Sequence, residues 1–250
     1  MASRTMSRDV STPTAYQRGV RDGALAGISL SIGVSLLTAV GAGAAVALWK
    51  YVKKQRNLFD ADELIAKRRS IFPRDYDTSR VVPESVLMKM LESANWAPTH
   101  GKTEPWRFVV FAGDARRRLG EKDAAIYKAK TPEDKFFPKK YTNKLQSKLD
   151  SSYVIAIVMK RQESKKIPEI EEIEAVACAV QNMHLSATAH GVGGYWSSGG
   201  SFDDDMKAFL GLGAEDICLG LFYVGYPKPG FVHPKGARRP IQDKVTFVRE

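Results

Sequence analysis

The chain has 250 residues, 44% apolar and 26% charged, with a net charge of +10. These averages are ordinary for a globular protein and exclude a disordered or collagen-like chain. Two cysteines, Cys178 and Cys218, form no CxxC or Cys/His cluster, so neither a disulfide scaffold nor a metal site is indicated. Both stand in apolar runs and are expected as reduced core residues.

In chain order, residues 1–22 form a basic tail. Residues 23–49, 27 in all, carry no charge, and as a helix they would exceed the roughly 30 Å of bilayer hydrocarbon. The stretch closes on Trp49-Lys50-Tyr51, an interfacial group. A transmembrane helix over 23–49 is therefore expected. A signal peptide would have an apolar region of only about 7–15 residues, and a buried helix of a soluble domain would show a polar face. Gly23, Gly27, Ser31, Ser35, Ala39, Gly43 and Ala47 recur every fourth residue, a spacing that allows close helix packing. Small residues are also simply common in this segment.

Residues 1–56 hold eight Lys/Arg against two Asp, so +6 of the +10 flanks the apolar stretch. Such placement points to a membrane surface, and no nucleic-acid motif is present. The positive-inside rule puts the large domain in the cytosol or an equivalent compartment. The Arg-, Ser- and Thr-rich opening also fits an organelle-targeting tail, which would place the domain in an organelle interior.

A basic linker spans 50–58, and one domain spans 59–250. Asp60 with Glu63 is a capping-box pattern opening a helix that carries Lys67, Arg68 and Arg69 at its end and stops by Pro73. Pro83 begins a second helix, with Val86, Leu87, Met90, Leu91 and Ala94 on one face, closed by Pro98. Trp106–Phe111 reads as a strand. Residues 115–150 are lysine-rich and helical, interrupted at Pro132 and Pro138; they form either a solvated face or a mobile lid favouring an anionic donor. Tyr153–Met159 is a buried strand. Residues 169–190 form the longest helix, ending at Gly191, with Ala175, Ala179, Met183 and Ala187 as a stripe. Residues 193–200 make a strand and tight loop, Asp203–Leu210 a short helix, Ile217–Gly225 a strand, and Val245–Arg249 a terminal strand. Helices flanking a small mixed sheet give an α+β domain.

Hydrolase signatures (GxSxG, HExxH), Walker loops and dinucleotide fingerprints are absent. Of the four histidines, His184 and His190 share a helix at a spacing of six, which does not place both on one ligand; surface or structural roles are expected. Three segments carry chemistry. Arg68-Arg69-Ser70 gathers two guanidiniums and a hydroxyl suited to a phosphate, although basic residues at a helix C-terminus also compensate the dipole. From Ala94 to Phe108 a helix ends at Pro98, and a polar loop with Trp96, His100 and Pro105-Trp106 could face a planar ligand or simply form a capped turn. Gly193-Gly194-Tyr195-Trp196-Ser197-Ser198-Gly199-Gly200 could admit a flat ring beside its backbone or be a glycine-rich turn.

In their order and spacing these segments resemble the nitroreductase superfamily, from about Asp62 to Arg249, and especially its compact bacterial members. Further matches are Phe222-Tyr-Val-Gly-Tyr-Pro227 and Arg238-Arg239-Pro240-Ile241. The resemblance implies a nitroreductase-like α+β fold, a central mostly antiparallel sheet flanked by helices, and a homodimer with FMN at the interface. By the same likeness Arg68 and Ser70 would meet the phosphate or ribityl end, with Arg69 beside them and Arg239 returning to the phosphate. Trp96, Pro98 and His100 would come from the partner chain, and Trp196, Ser197 and Ser198 would lie near the flavin ring. Val245–Arg249 would add a strand to the other subunit. Two departures stand out: Phe72 occupies a position where many relatives carry a cation near the ring, and Lys102 and Glu104 replace the frequent Asn and Gln. Lys102 or Arg74 could substitute for the missing cation.

The resemblance further implies ping-pong hydride transfer from NADPH or NADH to a small-molecule acceptor such as a nitroaromatic or quinone, with no obligatory catalytic acid or base. The membrane helix points to a lipophilic acceptor and a single-pass membrane protein. Reductive dehalogenation of the iodotyrosine deiodinase type is the alternative, though its acidic substrate-gripping stretch is not evident. A non-catalytic flavin-binding or assembly module is the other.

Overall fold

Four apolar runs become the strands of one antiparallel sheet: β1 (Trp106–Phe111), β2 (Tyr153–Met159), β3 (Gly193–Ser197) and β4 (Ile217–Gly225), in the order β1-β2-β4-β3. They are seen in a computed structural model that describes residue 49, residues 61–199 and residues 203–249. The described residues from Ala61 onward belong to one compact unit, Leu58–Glu250. The tail 1–22, the linker 50–58 and the apolar segment 23–49, save Trp49, lie outside the described residues. No described helix is long and apolar enough to cross a membrane.

The central strands β2 and β4 are apolar almost throughout because both faces of the sheet are covered. On β2, Ile155, Ile157 and Met159 join one core with α2 (Glu84–Asn95) and α5 (Glu169–Ala189). Val154 and Ala156 join the opposite core with Leu119 and Ile126 of α3 (Ala115–Lys130). A register shift against Ile157/Val158 puts Leu219 out of step. Cys218 and Leu221 therefore serve the same core despite opposite parity.

Helix α2 buries Leu87, Met90 and Ala94, the i, i+3, i+7 face that its periodicity predicts. It lies on the stripe Ala175, Ala179, Met183 and Ala187 of α5, every member buried. Small side chains there let the two helices approach closely. Gly191 ends α5 with φ +68°, a left-handed conformation natural to glycine. Helix α1 (Ala61–Lys67) buries nothing, and its expected cap Asp60 lies outside the described residues. Helix α4 (Pro138–Leu149) returns antiparallel along α3, and α6 (Asp204–Phe209) starts where Asp203 accepts the Asp205 N–H at 2.9 Å.

Two expectations fail. Cys178 is exposed: it sits in an apolar run of sequence, but the buried stripe of α5 passes through Ala175 and Ala179 and leaves it outside. Cys218 is buried as expected. Residues 245–249 form no strand; a 3-10 turn at Ile241–Lys244 precedes exposed chain that pairs with no strand of its own subunit.

Candidate functional site

The Arg68–Ser70 triplet and the Gly-Gly-Tyr-Trp-Ser-Ser segment, more than 120 residues apart in sequence, meet along the free edge of β3. Ser70 bridges to Gly194 in parallel, and the Ile71 N–H donates to the Gly194 carbonyl at 3.0 Å. The triplet thus leaves α1 directly onto the sheet edge, with Ser70 exposed and both arginines half-buried.

Beneath it lies His184, only 6% exposed. Its Nε2–H donates to the Arg69 carbonyl at 3.1 Å, and its ring meets Phe222 edge-on at 5.1 Å. Burial and the neighbouring Arg68 guanidinium push the imidazole pKa down to about 4, against the backbone hydrogen bonds at Arg69 and Gly194. At neutral pH the histidine is uncharged, and it holds the backbone between Arg69 and Ser70. Gly194 belongs to the same packing: a Cβ there would stand 2.6 Å from the Phe222 ring and 2.9 Å from His184. This glycine is required by the chain's own core, whatever else it admits.

Arg68 is the least comfortable cation in the cluster. Burial first, then Arg238 and Arg69, hold its pKa below the usual guanidinium value. No acidic side chain among the described residues pairs with Arg68, Arg69 or Arg238. Arg69 spends its donors on structure: Nε to the Pro234 carbonyl at 2.9 Å, and Nη1 to the Ala66 and Arg68 carbonyls at 2.5 and 2.8 Å. It ties the C-terminal segment to α1. Arg238 acts directly on Arg68, while Arg239 is exposed and its carbonyl accepts from Lys244 at 2.9 Å.

Trp196 and Ser197 follow on β3. The Trp196 Nε1–H donates to the Leu219 carbonyl at 3.1 Å, and Ser198 is exposed. Phe72 continues the edge, its ring 4.6 Å from Tyr195 and overlain by the Arg74 guanidinium at 4.9 Å. Of the two cations weighed against Phe72, Arg74 is therefore the one at hand.

Trp96, Pro98 and His100 lie elsewhere. They follow the end of α2, all exposed, and His100 Nδ1 pairs with Glu171 Oε2 at 2.6 Å. Glu171 stands in the first turn of α5 and His184 near its last, 13 residues on, which is roughly 20 Å of helix. Within one subunit the two groups cannot grip the same ring. Lys102 and Glu104 in this loop take left-handed backbone, φ 56° and 44°, a conformation that Asn tolerates better than either.

The lysine-rich hairpin is not simply a solvated face. Lys148 is 1% exposed and ion-paired with Asp123, which also accepts from Lys144 at 2.5 Å. Burial opposes the Lys148 charge, but Tyr223 and Asp123 outweigh it and raise its pKa. Neither His184 nor Lys148 could be singled out from sequence: both lie in helices whose neighbours are fixed only by tertiary packing. Arg238, adjacent to the residue singled out, was within reach.

The sequence profile of the nitroreductase family matches residues 65–226. YdjA of Escherichia coli (strain K12), provisionally named an NAD(P)H nitroreductase, is 30% identical over 176 residues, 68% of this chain and 89% of that protein. Human iodotyrosine deiodinase 1 is 26% identical over 216 residues, 79% of this chain and 70% of that protein. Among solved structures, a nitroreductase-like family protein from Bacillus cereus superposes with TM-score 0.65 at 26% identity, covering 76% of this chain and 96% of its own. The FMN-dependent nitroreductase NfnB from Mycobacterium smegmatis, solved with NADPH, gives 0.60 at 21%, covering 76% and 98%.

Proposed function

Because the chain belongs to the nitroreductase family and is an NAD(P)H-dependent flavin oxidoreductase, we propose that it reduces nitroaromatics, quinones or similar small acceptors by ping-pong transfer. The observation that carries the site is the guanidinium cluster. Arg68, Arg69 and Arg238 crowd together with no carboxylate among them, so an anion placed there relieves repulsion and gains charge-assisted hydrogen bonds. The donor set fits the phosphate of FMN, with the Ser70 hydroxyl exposed beside it.

When bound, FMN supplies the hydride chemistry, taking two electrons from NADPH or NADH and delivering them to the acceptor. Arg68 and Arg238 neutralise its phosphate. His184 holds the Arg69 carbonyl and so the angle at which Arg68 leaves the edge. Trp196, Ser197 and Ser198 border the ring, and Arg74 supplies the positive charge that Phe72 lacks. Trp96, Pro98 and His100 complete a second subunit's site, which accounts for their distance from Arg68. A homodimer is also supported by the C-terminal segment, where Val232 and Val248 are 85% exposed and Phe247 75%, a large apolar surface for an isolated chain. The uncharged segment 23–49 anchors the domain to a membrane, next to lipophilic acceptors such as quinones.

The deiodinase reading is favoured by one observation, the alignment over 79% of this chain. An acceptor panel separates the two. The full chain reconstituted with FMN should be yellow, bleach anaerobically with NAD(P)H, and recover its colour with nitroaromatics or quinones. A colourless protein that refuses FMN would overturn the oxidoreductase reading. Recovery only with halotyrosines, with halide release, would move it to the dehalogenase.

A further inference from the structure

A groove of about 630 Å3 opens beside Phe72, between β3 and the α3–α4 hairpin. Its floor is aromatic: Phe72 meets Tyr195 at 4.6 Å, and Tyr195 stacks on Tyr223 at 5.8 Å. Its walls carry Arg74 and four lysines of α4 against only Asp123 and Asp150. Both acids are already engaged. Asp123 serves Lys144 and Lys148, and Asp150 accepts from the Gln146 amide at 2.6 Å. Lys139 and Lys140 have no acid within ion-pair distance among the described residues. They also occupy the first turn of α4, directly after Pro138, with no acidic residue there. Cations at a helix N-terminus oppose the dipole. Lys140 is offset in part by the Tyr127 ring, 4.9 Å from its ammonium, and Lys139 by no ion pair or aromatic ring among the described residues. Ser197 and Gly199 close the groove, making it continuous with the edge that carries Ser70 and Phe72.

We propose that this groove selects a planar ring bearing an anion, the ring against Phe72 and Tyr195 and the anion against Lys139 and Lys140. Two ligands carry that chemistry, an aromatic acceptor with a carboxylate and the donor NADPH with its 2′-phosphate. The assignment deepens the oxidoreductase reading and rests on it for those two identities. Solvent-exposed lysines on flexible stems suit such a role: they meet an incoming charge without a fixed geometry and raise its local concentration.

The test is the double substitution Lys139→Gln/Lys140→Gln in the full-length, FMN-reconstituted protein, with flavin content measured first. Both positions are exposed, so folding is spared. The oxidised protein is titrated calorimetrically with 4-nitrobenzoate and 4-nitrobenzamide, and with NADP+ and NAD+. In the unsubstituted protein the anionic member of at least one pair should bind about tenfold tighter, and the double variant should reduce that ratio to within about twofold. The pair that responds identifies the source, acceptor or donor. No preference for either anion, or a preference untouched by the substitution, overturns the proposal. Failure of the flavin reading registers separately, as absence of FMN, and the titrations still report on the groove.

Discussion

Two clusters of cations, one around Arg68 and one around Lys148, meet their charge in opposite ways. Around Arg68 three guanidiniums gather with no acid, and burial first, then Arg238 and Arg69, lower the Arg68 pKa. Around Lys148 the ammonium is more deeply buried, yet its pKa is raised, because Asp123 and Tyr223 stand beside it. The folded chain has already solved the second problem and left the first open. On the proposed function, unmet charge marks the ligand site, and met charge marks the scaffold that holds the α3–α4 hairpin together. Removing a member should act on stability in one cluster and on binding in the other.

The sharpest way to break that contrast is Asp123→Ala. It strands Lys148, 1% exposed, and breaking a buried pair from one side costs about 3–5 kcal/mol. Urea unfolding should show a loss of unfolding free energy of that order; a loss under about 1 kcal/mol would mean the pair is a spectator. Next in size is the pH response of His184. Its folded pKa, about 4, lies below the ordinary 6.5. The unfolded chain takes up a proton between pH 6.5 and 4 that the folded chain refuses, so stability falls as pH drops through that window and levels below it. The contribution is about 3 kcal/mol. In His184→Gln the loss of stability between pH 7 and 5 should be visibly smaller than in the unsubstituted protein; equal losses would remove His184 from the account.

These two residues also show where sequence reading ends. The faces of α2 and α5 were legible because Leu87, Met90 and Ala94, and Ala175 through Ala187, repeat at helical spacing. Strands β1, β2 and β4 were legible as apolar runs, and the Arg-Arg-Ser and Gly-Gly-Tyr-Trp-Ser-Ser segments as a pair whose order carries a family likeness. Which elements touch was not legible. Lys148 looks like its solvated neighbours until Asp123 crosses from α3 to meet it. Cys178 looks apolar by company until the buried stripe of α5 bypasses it. Gly194 suggested an approaching ligand, whereas His184 and Phe222 already fill the space that its side chain would need.

In the open cluster, Arg68→Ala should behave in the reverse manner to Asp123→Ala. Loss of a guanidinium that its neighbours repel leaves the flavin-free fold unchanged or slightly firmer, while FMN loses a charge-assisted contact of about 1.5–3 kcal/mol. Flavin retention through dialysis, together with thermal unfolding of the flavin-free protein, reads both at once. Unchanged flavin content would sink the phosphate assignment.

The smallest effect separates two adjacent residues. Sequence likeness assigned the returning arginine to Arg239, but it is Arg238 whose charge depresses Arg68, and repulsion of that kind requires proximity. Arg239 is exposed, and its carbonyl is tied to Lys244 at 2.9 Å. The residue nearer Arg68 is expected to take the larger share of the phosphate charge. Arg238→Ala should weaken FMN several-fold, and Arg239→Ala should do so less, measured as dissociation constants by flavin fluorescence at low salt. The reverse order would mean that the C-terminal segment turns over when the phosphate arrives, and the difference between the two clusters would then lie in a surface that rearranges around its ligand.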